Sequence, residues 1–79
     1  MMDKALLNEK LNMWRQKLVE LEKELLQIQK HKGEAAQEGD LRENAAYQMA
    51  SEDADTWRVR IDEVRKIIAD LEKEKGGKS

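Results

Sequence analysis

Two runs of regularly spaced residues constrain the fold of this chain more than any other feature. Each run advances by alternating steps of three and four positions. The first run comprises Leu7, Leu11, Trp14, Leu18, Leu21, Leu25, Ile28, Lys32 and Ala35. The second run comprises Tyr47, Ala50, Ala54, Trp57, Ile61, Val64, Ile68 and Leu71. Because heptad spacing places a run along one side of an α-helix, the sequence predicts two helical arms.

The two runs match each other when the second arm folds back on the first. Leu11 then faces Leu71, and the two residue numbers add up to 82. Every further pair keeps that total as far as Ala35 and Tyr47, so the fold point lies near position 41. We therefore expect an all-α fold, an antiparallel two-helix coiled-coil hairpin.

The predicted hairpin divides the chain into three parts. The first arm covers about residues 3–38, the tip about 39–44 and the second arm about 44–75. The carboxylates of the tip then lie at one end of a rod. At a rise of about 1.5 Å per residue, each arm is roughly 50 Å long. No part of these 79 residues is expected to form a second, globular domain.

Composition agrees with a helical hairpin. Charged residues make up 41% of the chain, aromatic residues make up 4%, and there is no proline. This composition is typical of long helices and coiled coils. So charged a chain could also be disordered, but the regular apolar spacing argues against disorder. Since a single core of this size supplies only a few kcal/mol, self-association into a homo-oligomer at high concentration stays an open alternative.

Charge and cysteine content exclude several classes of protein. The formal net charge of −2 gives no overall attraction to nucleic acid or to an anionic membrane. The absence of cysteine removes disulfides and thiolate metal sites. No run of about 18 apolar residues could span a membrane, and the N-terminus lacks the apolar centre of a signal peptide. We expect a cytoplasmic protein without a membrane partner.

The stretch GDLRENAAY, residues 39–47, interrupts the pattern between the arms. Gly39 suits the position after a helix end, where a positive φ is required. Asp40 suits the N-cap of the second helix, and Glu43 completes a capping-box pair three residues later. Turn chemistry alone therefore accounts for these three residues.

A second interpretation assigns chemistry to the same residues. Glu38, Asp40 and Glu43 gather carboxylates at the end of a thin rod, where the stability of the hairpin does not require them. Mg²⁺ is often held by one or two carboxylates, with water or substrate supplying the other ligands. The tip is therefore a candidate for one part of a shared Mg²⁺ site whose other ligands lie on a partner. His31, the only histidine, is expected at the solvated surface.

The tip resembles that of a known family. The N-terminal coiled coil of bacterial Gre transcript cleavage factors (GreA and GreB) carries the hallmark Gly-Asp-Leu-basic-Glu-Asn-Ala-x-Tyr. The matching residues here are Gly39, Asp40, Leu41, Arg42, Glu43, Asn44, Ala45 and Tyr47. The resemblance covers residues 34–72 well and the first arm only by its general character.

This resemblance implies a function in transcription. Gre hairpins enter the secondary channel of RNA polymerase that has backtracked, and the polymerase then cleaves its own extruded RNA 3′ end. Asp40 and Glu43 would be the catalytic carboxylates, holding a Mg²⁺ shared with the polymerase and not bound tightly by the chain alone. The chain would be an accessory factor and not an enzyme. Its partner would be bacterial RNA polymerase, with only indirect contact to the nascent RNA 3′ end.

The resemblance also implies supporting roles around the two carboxylates. Asn44 and Tyr47 would support the tip, and Arg42 would contact phosphate or the polymerase. Gly39 and Leu41 would belong to the same supporting and contact surface.

Two departures from the family pattern leave other functions open. The C-terminal globular domain of full-length Gre factors has no counterpart in these residues. Basic residues that flank the tip in the family are replaced by Ala36 and Ser51. One alternative is a protein that occupies the secondary channel and regulates or inhibits the polymerase without promoting cleavage. Another is a structural coiled coil that only self-associates.

Overall fold

Two long antiparallel α-helices account for most of the structure, a computed structural model that describes residues 3–76. Helix α1 is Lys4–Ala36 and helix α2 is Ala45–Lys75, and residues 37–44 connect them. Together they form a rod of 55 × 19 × 12 Å. The predicted all-α hairpin is confirmed. Helix α1 ends two residues before the predicted end of the first arm.

The core is a single seam between the two helices. Its buried residues, all members of the two predicted runs, are Leu7, Leu11, Leu21, Ala35, Ala54, Ile61, Val64 and Ile68. Partly buried residues packed against this seam are Trp14, Leu18, Leu25, Trp57 and Leu71. Complete burial of one leucine contributes about 1.5–3 kcal/mol, and among the large side chains of residues 3–76 only Leu11 is that fully buried. The core is therefore thin.

Two ion pairs between the helices show how α1 and α2 are aligned along the rod. Arg15 bonds to Glu72 and Arg65 bonds to Glu22, each at 3.1 Å. The two pairs lie seven residues apart on both helices, so the arms do not slip relative to each other between them. All four side chains are about half exposed. Exposed pairs of this kind contribute at most about 1 kcal/mol, so they indicate the alignment more than they hold it.

Helix α1 passes through Gly33 without ending there. A glycine inside a helix costs about 1 kcal/mol relative to alanine. The last turn of α1 beyond it is therefore the weakest part of that helix by intrinsic propensity. Neither helix, over the residues described, is apolar over a sufficient length to cross a membrane.

Candidate functional site

The tip of the hairpin, residues 37–44, begins with two tight turns at the end of α1. The backbone N–H of Gln37 donates to the carbonyl of Glu34 at 3.2 Å, and that of Glu38 donates to the carbonyl of Ala35 at 3.1 Å. Gly39 follows with a φ of 132°. L-residues with a side chain rarely adopt this conformation, which glycine reaches freely. The predicted positive φ at Gly39 is confirmed.

The N-cap of α2 is Asn44, and the prediction that Asp40 caps this helix is wrong. The side-chain oxygen of Asn44 accepts a hydrogen bond of 3.0 Å from the backbone N–H of Tyr47. Asp40 forms a local turn instead, in which its Oδ1 accepts from the N–H of Arg42 at 3.0 Å. Its carbonyl accepts from the N–H of Glu43 at 3.2 Å. Glu43 therefore precedes the helix and takes no part in a capping box.

Asn44 is the better cap because its amide serves both helices. While the oxygen caps α2, Nδ2 donates a hydrogen bond of 2.6 Å to the carbonyl oxygen of Ala35 in the last turn of α1. A carboxylate accepts hydrogen bonds but cannot donate one. An aspartate at position 44 could therefore cap α2 but could not donate the second hydrogen bond to Ala35. The half-buried Asn44 side chain joins the two helix ends.

Two further contacts hold the base of the tip. Gln48 Nε2 donates to the carbonyl oxygen of Arg42 at 2.8 Å, which ties the tip backbone to the first turn of α2. The Nζ atom of Lys32 lies 5.4 Å from the centre of the Tyr47 ring, within the range of a cation–π interaction. The sequence analysis did not single out Gln48, because no spacing rule links a glutamine to a carbonyl six residues earlier.

The carboxylates of the tip share one open concavity. It is lined by Glu38, Asp40, Glu43, Asn44 and Ala45. All three acidic residues are exposed. Within residues 3–76, however, no three Asp, Glu, His or Cys side chains are grouped closely enough to hold a metal ion among themselves. What the tip offers a cation is therefore one or two carboxylates, which fits Mg²⁺ only when other ligands come from outside the chain.

Arg42 and Leu41 complete the exposed end of the rod. The Arg42 side chain is 92% exposed, and its Nε lies 3.8 Å from Oδ1 of Asp40. An ion pair this exposed and this long restrains neither group strongly. Leu41 is 41% exposed. The tip thus presents carboxylates, a guanidinium group and an apolar side chain side by side.

Comparison with known protein families gives one match that spans both helices. The family model described as "Transcription elongation factor, N-terminal" (GreA_GreB_N) matches residues 5–72. The chain therefore belongs to this family, the N-terminal domains of Gre transcription elongation factors. The match includes nearly all of α1, where the sequence alone showed only a general likeness. Searches of curated proteins and of solved structures gave no match.

Proposed function

We propose that this hairpin enters the secondary channel of bacterial RNA polymerase and stimulates the polymerase's own cleavage of backtracked RNA. Membership of the Gre family supports a partner in the transcription machinery and hence work in the cytoplasm. The observation that carries the proposal is the position of Asp40 and Glu43, both exposed at the end of a rod 55 Å long and 12–19 Å across. A rod of this shape can deliver its end deep into a narrow channel.

The two carboxylates have free oxygen atoms to offer. Only Oδ1 of Asp40 accepts a hydrogen bond, and the Glu43 carboxylate has no hydrogen-bond donor among residues 3–76. Asp40 and Glu43 would hold Mg²⁺ together with groups of the polymerase. Phosphodiester hydrolysis of this kind uses two Mg²⁺ ions, one stabilising the attacking oxygen and one the leaving oxygen, and the ion held with Asp40 and Glu43 would be one of these two. The chain's part is to place these carboxylates, and the bond-breaking site belongs to the polymerase.

The neighbours of the carboxylates have distinct tasks in this proposal. Asn44 and Tyr47 are positioning residues, because their hydrogen bonds and packing fix the backbone that carries Asp40 and Glu43. Arg42 is free to contact a phosphate or an acidic group of the polymerase, since its only ion pair is loose. Leu41 and Gly39 shape the apex that meets the channel wall.

The test is RNA cleavage in a purified backtracked elongation complex. Wild type is compared with Asp40→Ala/Glu43→Ala and with the control Glu34→Ala/Glu52→Ala. The control removes two exposed carboxylates outside the tip, so both double variants have the same net charge. We expect wild type and control to accelerate cleavage and the tip variant to lose the acceleration. Failure of wild type to accelerate cleavage, or equal loss in both double variants, would refute the proposal.

One observation favours a second candidate, a protein that occupies the channel and inhibits without promoting cleavage. Ala36 and Ser51, beside the tip, are half-buried and uncharged. Residues 33–56 contain seven carboxylates and only one basic residue, Arg42. Extruded RNA, a polyanion, gains no attraction from such a surface. In the same assay with an added full-length Gre factor, this candidate predicts that the chain lowers cleavage in proportion to its concentration.

A structural coiled coil without a polymerase partner is the remaining alternative. It predicts that wild type neither accelerates cleavage nor competes with the added full-length Gre factor in this assay. Direct binding to the polymerase, measured with a chain labelled at its C-terminus, separates this outcome from inhibition. Binding that weakens when full-length Gre factor is added would refute the purely structural alternative.

A further inference from the structure

An open apolar groove runs along one flank of the rod. It is about 410 Å³ in volume and its apolar lining comes from Leu25, Leu26 and Ile61. Leu26 is 65% exposed, although it is a large apolar residue. From this groove and from the charge distribution along the rod we infer that two copies of the chain pair side by side in antiparallel orientation. The inference is independent of the proposed function.

The groove is open because the ion pairs between the two helices end at its edge and do not continue across it. Arg65 and Glu22 bridge the two helices at one edge of the groove. One heptad closer to the tip, Gln29 and Arg58 occupy the equivalent positions. Arg58 bonds instead to Asp55 of its own helix, at 3.2 Å. At this level no ion pair joins the two helices within residues 3–76, and the groove between them stays open.

The same flank carries a second exposed apolar residue. Val19 lies seven residues before Leu26, and thus on the same side of α1, and is 49% exposed. The hairpin core uses neither residue. Exposed apolar side chains that line up beside a groove are typical of surfaces that bind another protein.

Charge distribution along the rod favours a second copy as that protein. Residues 33–56 carry seven acidic residues and one basic residue, whereas the rest of the chain carries fourteen basic and ten acidic residues. The tip end therefore carries a net charge of −6 and the rest of the chain a net charge of +4. Antiparallel pairing places each negative end beside the positive part of the other copy. Parallel pairing would bring like charges together, which is unfavourable.

The groove itself does not repel a second copy. Its charged edges are Glu22 and Asp62 against Arg58 and Arg65, so their charges balance. A two-fold axis near Leu26 would place that side chain of each copy over the groove of the other, as an isologous interface requires. Leu41, fifteen residues beyond Leu26, would then lie close to Asn12 of the second copy.

The available surface is large enough for a stable pair. With the axis near Leu26, the two rods overlap over about 30 residues, or about 45 Å. At a rod width of 19 Å the face available in this overlap measures roughly 850 Å² on each copy, comparable to the approximately 800 Å² per partner that stable protein interfaces bury. The antiparallel pair thus has both the area and the charge complementarity that an interface needs.

The first test is sedimentation equilibrium of the full chain over a range of concentrations. We expect a monomer–dimer equilibrium in wild type, at least a tenfold higher Kd in Leu26→Glu, and no change in the control Val59→Glu. Val59 is 57% exposed but does not line the groove. Salt at about 0.5 M should weaken the dimer because it screens the end-to-end charges. Wild type that stays monomeric at about 1 mM would overturn the inference.

The second test is the orientation of the pair. The chain has no cysteine, so Leu41→Cys and Asn12→Cys introduce unique thiols. We expect disulfide-linked dimers to form faster in a mixture of the two variants than in either variant alone. Preferential cross-linking of Leu41→Cys to itself would indicate that the tips meet and would overturn the antiparallel arrangement. An unchanged dimer Kd in Leu26→Glu would show that the groove is not the interface and would overturn that part of the inference.

Discussion

The side-chain amide of Asn44 donates a 2.6 Å hydrogen bond to the carbonyl oxygen of Ala35 and thereby joins the end of α1 to the start of α2. The same side chain caps α2 through the N–H of Tyr47. One residue therefore sets both the start of α2 and the distance between the two helix ends. The positions of Asp40 and Glu43 depend on it, because the tip backbone is held between these points.

Substitution of Asn44 is expected to separate its two contributions. Asn44→Ser keeps an N-cap acceptor but is too short to reach Ala35, so it should lower the free energy of unfolding by about 1 kcal/mol, the typical value of one hydrogen bond. Asn44→Ala loses the cap as well and should lower it by about 2 kcal/mol. Urea unfolding followed by circular dichroism, at one fixed low protein concentration, measures both changes. Equal stability of Asn44→Ser and wild type would show that the bond to Ala35 contributes nothing.

The tip carboxylates are expected to be dispensable for folding. Neither Asp40 nor Glu43 caps a helix, and both are exposed. Asp40→Ala/Glu43→Ala should therefore lower the free energy of unfolding by no more than about 0.5 kcal/mol, the value of the one exposed hydrogen bond that is lost, between the N–H of Arg42 and Oδ1 of Asp40. Thermal unfolding by circular dichroism, with Glu34→Ala/Glu52→Ala as the charge-matched control, tests this. A loss of about 1 kcal/mol specific to the tip variant would mean that its loss of activity cannot be separated from a change of structure.

The sequence predicts the seam fully and the tip only in part, and the reason is physical. Heptad spacing is a property of one helix at a time, so every buried residue could be placed before any contact was known. Capping depends on which atoms come together. In the sequence, Asp40 with Glu43 fits the capping-box pattern. The amide of Asn44 is favoured as the cap because the Ala35 carbonyl lies within hydrogen-bond distance of it. That proximity arises from the tertiary fold and cannot be read from local sequence.

Contacts that lie off the seam could not be predicted for the same reason. Trp57 was expected in the core, and it does pack there, yet its Nε1 donates to Glu24 at 2.7 Å and its ring lies under Arg60 at 4.7 Å. Leu26 gave no signal, because an isolated apolar residue outside a heptad seam is common on protein surfaces. Only the open groove beside it makes its exposure informative.

Gly33→Ala is expected to stabilise the hairpin. Gly33 is helical, and a Cβ at this position would meet no atom within 4 Å. Alanine should therefore raise the free energy of unfolding by up to about 1 kcal/mol, because it lowers the entropy of the unfolded chain. The increase should appear as a higher urea midpoint with an unchanged slope. A lower midpoint would show that the last turns of α1 need the conformational freedom of glycine.

Gly39→Ala is expected to act in the opposite direction. A Cβ at Gly39 would also meet no atom within 4 Å, so crowding is not the cause. The φ of 132° is the cause, since an L-residue held there is strained by about 1–3 kcal/mol. Urea unfolding should show a loss of that size. Gly33→Ala is the control, because it makes the same chemical change in a helical backbone, and a stability equal to wild type would contradict the strained φ.

Leu11→Ala is expected to unfold most of the population at ambient temperature. Leu11 is 1% exposed and belongs to the seam cluster. Removal of a fully buried leucine side chain costs about 2–5 kcal/mol, and a two-helix core of this size supplies only a few kcal/mol. Met13→Ala is the control, since Met13 is 56% exposed and two residues away on the same helix. Circular dichroism should show a large loss of helix in Leu11→Ala and a helical content near wild type in Met13→Ala. Retention of full helicity by dilute Leu11→Ala would mean that the seam is not what holds the arms together.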